Sequence, residues 1–295
     1  MKELLILSGK GGTGKTSITG ALAMLLPETV LADCDVDAAD LHLLLSPQVR
    51  EEHAFWSGVE AVIDPMLCSG CGICADLCEF HAIRMEEKAV LKLFSCEGCG
   101  VCARFCPEQA IRLQEKQCGV WFRSDTEYGP MVHARLGIGE ENSGKLVSLV
   151  KKRSRELAEV ENASWLLVDG PPGIGCPVIA SFSGADFVLL ITEPTLAGLH
   201  DLQRVADLAR HFKIPVGVCI NKWDLHPGYG ADIERLCREQ GIPVLAKIPF
   251  DRAVVGAVVA AMPLPKHAPN SPAALAVYGL YEKIISLTPG NWTVR

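Results

Sequence analysis

Gly9-Lys10-Gly11-Gly12-Thr13-Gly14-Lys15-Thr16 follows directly on the apolar run Leu4-Leu5-Ile6-Leu7, and Ser17 to Leu26 then reads as a helix ended by Pro27. Strand, glycine loop and helix are the setting that the GxxxxGK[ST] pattern requires. In such a loop the backbone N–H groups, here from Gly9 to Ser17, cradle phosphate oxygens at a helix N-terminus. Lys15 is placed to reach the β- and γ-phosphates, and the Thr16 hydroxyl to bind Mg2+. A nucleoside triphosphate is the expected ligand.

Three further stretches belong with this loop. A second apolar strand, Thr29 to Ala32, runs into Asp33-Cys34-Asp35-Val36-Asp37 and then Asp40. Trp165-Leu166-Leu167-Val168 has the pattern of a buried strand and ends in Asp169, followed by Gly170-Pro171-Pro172-Gly173-Ile174-Gly175. Val216 to Ile220 is another buried strand, ending in Asn221-Lys222-Trp223-Asp224, and Ile248-Pro249-Phe250-Asp251 comes later. NKxD taken alone points to guanine.

The lysine at position 10 adds a family resemblance: KGGTGKT resembles the deviant Walker A motif of the MinD/ParA/Mrp ATPases. That resemblance implies that Lys10 reaches the partner subunit's nucleotide, as an arginine finger does, so that hydrolysis needs an ATP-dependent homodimer. It further implies that Asp35 orients the attacking water, with Asp33 or Asp37 assisting. Mg2+ would be held by Thr16, Asp35 and Asp169, and the Gly173 N–H would sense the γ-phosphate. Asn221, Lys222, Pro249 and Asp251 would surround adenine, which favours ATP over GTP. The catalytic set is then Lys10, Lys15 and Asp35. Cys176 shares an offset with a cluster cysteine of the nitrogenase iron protein and is read as an ordinary thiol at a helix start.

Eight of the thirteen cysteines fall between Cys68 and Cys106. Cys68, Cys71, Cys74 and Cys78 give C-x2-C-x2-C-x3-C, and Cys96, Cys99, Cys102 and Cys106 repeat it 28 residues later with Pro107 following. Ala82-Ile83-Arg84 and Ala110-Ile111-Arg112 repeat at the same interval, so a structural unit is duplicated. The block resembles two-cluster bacterial ferredoxins, in which the fourth cysteine of each run ligates the other cluster. One [4Fe-4S] cluster is therefore assigned to Cys68, Cys71, Cys74 and Cys106, and the other to Cys78, Cys96, Cys99 and Cys102. Zinc favours two CxxC pairs set a dozen or more residues apart. Glu79 stands where the ferredoxin repeat carries proline.

The element order predicts an α/β fold: a doubly wound, mostly parallel sheet of the P-loop NTPase type, with nucleotide at the C-terminal strand ends. A small α+β ferredoxin-like domain at 60–115 interrupts the ATPase domain of 1–59 and 116–295. Gly137 to Lys145 mimics a second phosphate loop, but Leu146 stands where Ser or Thr is needed, so the stretch is read as a turn and helix start. With 28 Lys+Arg against 35 Asp+Glu, no charge excess favours nucleic acid or anionic lipid. The longest apolar run, Ala253 to Leu264, falls short of the roughly 20 residues of a membrane span. The acid at Glu3, with no cleavage site, suggests a cytoplasmic chain.

Together these readings predict a cytoplasmic Mg-ATPase controlling electron transfer through two clusters toward a redox partner. An Mrp-like metallocofactor carrier is the alternative, although the CPxC pair of that branch is absent. A cell-positioning ATPase lacks a basic tail here. An amidoligase resembling cobyrinic acid a,c-diamide synthase would need a glutaminase domain, for which there is no room.

Overall fold

The computed structural model describes residues 1–92, 94–140 and 143–286. In chain order its elements are β1 (Lys2–Ser8), α1 (Lys15–Leu25), β2 (Thr29–Asp33), α2 (Leu41–Leu45), β3 (Gln48–Ile63), α3 (Ile73–Asp76), β4 (Ile83–Met85), β5 (Ala89–Leu91), α4 (Val101–Arg104), β6 (Ile111–Thr126) and β7 (Gly129–Leu136). There follow α5 (Ser143–Val160), β8 (Trp165–Pro172), α6 (Cys176–Phe182), β9 (Phe187–Thr192), α7 (Leu196–His211), β10 (Val216–Asn221), α8 (Pro227–Glu239), β11 (Val244–Ile248), α9 (Arg252–Val259), α10 (Leu264–His267) and α11 (Pro272–Ser286).

The chain divides into two compact units, one of residues 1–52, 121–135 and 143–295, the other of 53–120 and 136–142. The second unit is larger than the 60–115 span read from the cysteine block. The difference lies in β3 and β6, two strands of 16 residues that each begin in one unit and end in the other. In β3, Gln48 to Ala54 are exposed throughout, so the strand shows no apolar run.

The large sheet has the order β11-β10-β9-β1-β8-β2-β7-β6-β3. β1 runs parallel to β8 and β9, β2 to β7 and β8, and β10 to β9 and β11. Its central strands are apolar throughout because helices cover both faces: every residue of β9 is buried, as are Leu4 to Leu7 and Leu166 to Val168. Parallel strands deliver their C-terminal ends to one edge. Ile6 and Asp33 both stand in register with Asp169, so the glycine loop and both acidic segments leave the sheet together.

A buried histidine in the first unit gives the fold an acid-sensitive point. His133 on β7 meets the Ser124 hydroxyl at 2.9 Å and stacks on Phe122 at 4.9 Å. Burial, and then His42, push its pKa down to about 4. An unfolded histidine titrates near 6.5, so between these values only the unfolded chain takes up the proton. The contribution of His133 is complete above about pH 6.5 and is lost as pH falls toward 4, a difference of about 3 kcal/mol. Urea midpoints at pH 7 and pH 4.5 should show this loss in the wild type, with a flatter pH dependence in His133→Gln.

Candidate functional site

The glycine loop joins β1 to α1 and takes left-handed backbone at Gly12 and Gly14, with φ of 79° and 89°. A side chain on Gly14 would collide with the amide of Asn221. That amide donates to the Thr13 carbonyl at 2.7 Å, and Lys222 Nζ donates to the Gly12 carbonyl at 3.2 Å. Both residues of the asparagine-lysine pair at the end of β10 therefore brace the loop. Gly11 and Gly12, by contrast, face open space, so that a phosphate could approach the backbone there, whereas the Gly173 N–H, expected to sense the γ-phosphate, donates to the Ser8 carbonyl at 2.9 Å.

Behind the loop the charges converge. Lys15 Nζ lies 3.0 Å from Asp169 and 3.5 Å from Asp35, with Lys15 6 % and Asp169 1 % exposed. The Thr16 hydroxyl donates to one Asp169 oxygen at 2.9 Å and that of Thr19 to the other at 2.8 Å. Burial opposes the charge on Lys15, yet Asp169, Asp35 and Asp33 together hold its pKa above the ordinary lysine range. Burial pushes both Asp33 and Asp35 up, and Asp169 adds to this in each case. Three carboxylates around one ammonium leave negative charge that a divalent cation would neutralise. Thr13 Oγ1 and Lys15 Nζ are also buried without a well-aligned hydrogen-bond partner, as expected where phosphate oxygens belong. The residues present fit a Mg-nucleotide.

The predicted acids do not all serve one purpose. Asp33 accepts from the backbone N–H groups of Asp35 at 3.1 Å and Leu41 at 3.3 Å, so it shapes the acidic turn. Asp37 and Asp40 are exposed, and Asp35 faces Lys15. Asp251, expected beside the base, caps α9 by accepting from Ala253 at 2.8 Å and also holds Ala273 of α11 at 3.2 Å. Those two N–H groups keep its carboxyl below the usual range. Pro249 lies in the turn after β11, and Ser17 sits in the first turn of α1. Asp224 accepts from the Phe250 N–H at 2.7 Å, so the acid of NKxD ties two loops together.

Two residues of this region escaped the sequence reading. Thr19 carries a detectable signal, since it lies three positions after Thr16 and so on the same face of α1. Glu193, just beyond β9, has none. Its carboxylate pairs with Lys10 at 2.5 Å and Lys222 at 3.3 Å. Burial works against its charge, yet the two lysines hold its pKa below the usual range.

The second unit repeats itself in three dimensions. α3 follows Gly72 at φ 83° and α4 follows Gly100 at φ 77°, while His81 and Gln109 match at 49° and 50°. Cys78 and Cys106 Sγ each accept from the backbone four residues on, Ala82 and Ala110, both at 3.3 Å. Ala61, Cys74, Ile83, Ala89 and Ile111 form the core between the halves. Cys78, Cys96, Cys99 and Cys102 line one small recess, walled by Leu77, Phe80 and Leu113. Cys68, Cys71, Cys74 and Cys106 line another, walled by Ile63, Ile73 and Pro107. Each quartet thus takes three thiols from one repeat and the fourth from the other. Among the described residues no three His, Cys, Asp or Glu side chains converge tightly enough for a single metal ion.

Residues 4–264 match the CobQ/CobB/MinD/ParA nucleotide-binding domain family, CbiA. The chain belongs to that family. An uncharacterized protein of Methanocaldococcus jannaschii is 33% identical over 224 residues, covering 75% of this chain and 78% of that protein. A second from the same organism is 26% identical over 290 residues, covering 86% and 89%. The septum site-determining protein MinD of Pyrococcus horikoshii, complexed with Mg-ADP, superposes with a TM-score of 0.60 at 19% identity, covering 97% of this chain and 96% of that one. A chain of the MinC:MinD cell division protein complex of Aquifex aeolicus gives 0.59 at 18% identity, with 98% and 97% covered. These likenesses fix the fold: a CbiA-family α/β domain with a large, mostly parallel sheet. No helix among the described residues is long and apolar enough to cross a membrane.

Proposed function

We propose that this CbiA-family protein is a Mg-ATP-dependent, dimerising ATPase that couples its nucleotide state to electron transfer through two [4Fe-4S] clusters. The observation that carries the reading is the division of eight cysteines into two quartets, each lining its own recess and each crossed between the sequence repeats. A zinc ion holds all its thiolates about 2.3 Å from one centre, whereas a four-iron cluster takes one thiolate per iron and needs the wider setting. The apolar walls and the N–H groups aimed at Cys78 and Cys106 suit a redox centre, whose potential depends on both. Two clusters would supply one-electron carriers. Clustered thiols kept as ligands also suit a reducing, cytoplasmic compartment.

For the nucleotide, adenine is favoured because Asp224 is engaged by the Phe250 backbone. Asp35 would orient the attacking water, Thr16 and Asp169 would hold Mg2+, and Gly173 would meet the γ-phosphate. The deviant Walker A reading of Lys10 makes a second copy of the chain the first partner. A redox protein, or one accepting a metallocofactor, is the second.

An anaerobic EPR redox titration of the cluster-loaded protein tests the coupling, with and without MgATP or a nonhydrolysable analogue. A shift of about 59 mV or more, a tenfold change in a one-electron equilibrium, is the expected result. Intact clusters and active ATPase without any shift would overturn the coupling and favour the metallocofactor-carrier reading instead.

A further inference from the structure

A cluster of buried charges lies outside the nucleotide site and takes no part in the chemistry proposed above. Glu3 on β1 is 2 % exposed and Lys151 on α5 is 2 % exposed, and the two are ion-paired. Arg155, one turn further along α5, donates to the other Glu3 oxygen at 2.8 Å. Burial pulls the Lys151 pKa down while Glu3 pushes it back up. An ion pair so deep is a weak source of stability, since apolar residues of similar volume often replace one without loss.

What distinguishes this one is where its spare donors go. Lys151 Nζ donates to the Ser181 carbonyl at 2.6 Å, and Arg155 donates to the carbonyl of Ser183. These carbonyls close α6 (Cys176–Phe182), the helix that follows the Gly173 loop. Carbonyls at a helix end lack intrahelical partners, and cations there also complement the helix dipole. Glu3 is fixed in turn: its N–H donates to Asp186 at 2.7 Å, and its carbonyl accepts from the Asp186 N–H at 3.0 Å. At the other end of α6, Gly173 has φ 89° and faces open space, and Cys176 is exposed. One end of the helix is held by charge, and the other follows a loop in which the left-handed Gly173 is tied to β1 by a single bond from its N–H to the Ser8 carbonyl at 2.9 Å.

We propose that Glu3, Lys151 and Arg155 are positioning residues for the γ-phosphate loop. They pin the last turn of α6, so that a change of nucleotide at Gly173 is taken up at the first turn and the helix does not slide as a whole. Neither Lys151 nor Arg155 touches nucleotide. Both act through α6.

The test uses full-length, cluster-loaded protein with Arg155→Met, Arg155→Lys and the volume-matched double variant Glu3→Gln/Lys151→Met. Steady-state ATPase is measured beside amide hydrogen exchange in residues 176–183, with and without an ATP analogue. Arg155→Met should keep KM within about twofold and lower kcat about tenfold, the effect of one hydrogen bond from a charged donor. Arg155→Lys should restore most of kcat, and the exchange response to the analogue should vanish in Arg155→Met and in the double variant. Folded variants with wild-type kcat and an unchanged exchange response would overturn the clamp. So would a lowered thermal midpoint with kcat and KM disturbed together and no rescue by lysine, the mark of a merely structural role. The inference rests on the ATP hydrolysis proposed above. Wild-type protein that binds ATP without turning it over would refute that reading, and the exchange response would then decide the clamp by itself.

Discussion

Lys10→Ala is expected to bind MgATP within about threefold of the wild type and to hydrolyse it about 10³-fold more slowly, the smaller end of what an arginine finger contributes. The structure separates the two loop lysines by environment. Lys15 is buried among Asp35 and Asp169, whereas Lys10 is 36 % exposed and turned to Glu193. Lys10 is held by that one carboxylate, which also keeps Lys222 as a partner when Lys10 departs. In the proposed ATP-bound dimer it would cross to the second subunit. Phosphate release measured over a range of protein concentrations should rise faster than linearly in the wild type. Mixing Lys10→Ala with Lys15→Ala should recover activity that neither has alone, since one chain retains an intact phosphate loop and the other supplies Lys10. Unchanged turnover in Lys10→Ala would remove the in-trans role.

On the proposed two-cluster reading, Cys78→Ala should remove one cluster, taking iron content from about eight to about four per chain. The cluster lost should be the one otherwise held by Cys96, Cys99 and Cys102, although Cys78 is nearer in sequence to Cys74. The reason is the recess these four thiols share. Cys78 also accepts the Ala82 N–H, so alanine removes a ligand and leaves that donor without its sulfur. EPR of the reduced variant should retain the signal of the Cys68 group. Loss confined to that group would overturn the crossed assignment.

The motifs that identify the nucleotide site were legible because each is local. A glycine loop after an apolar strand, an acid at the end of another and a repeat of cysteine spacings all depend on residues a few positions apart. The backbone forced by those spacings carries most of the information. The same holds for the paired positive φ values of His81 and Gln109, which follow from the 28-residue repeat. Pattern failed where a strand lacks an apolar run: Gln48 to Ala54 open β3 as an exposed stretch and Arg112 to Glu115 are exposed near the start of β6, so the second unit begins earlier and ends later than the cysteines suggest.

The sequence by itself determined the family, the parallel α/β sheet, the phosphate loop with Lys15, Thr16 and Asp169, and the grouping of eight cysteines into two repeats. Only the tertiary structure decided that Asp33 shapes a turn while Asp35 faces Lys15, and that Asp251 caps a helix. Tertiary structure alone also revealed that Glu193 holds Lys10, and that Glu3 anchors α6 through residues some 150 positions away. The division has one physical cause. Backbone preference and hydrophobic period act over one element, whereas the partner of a charged side chain is chosen by which strand ends the sheet order brings together, and that order is written in no single segment.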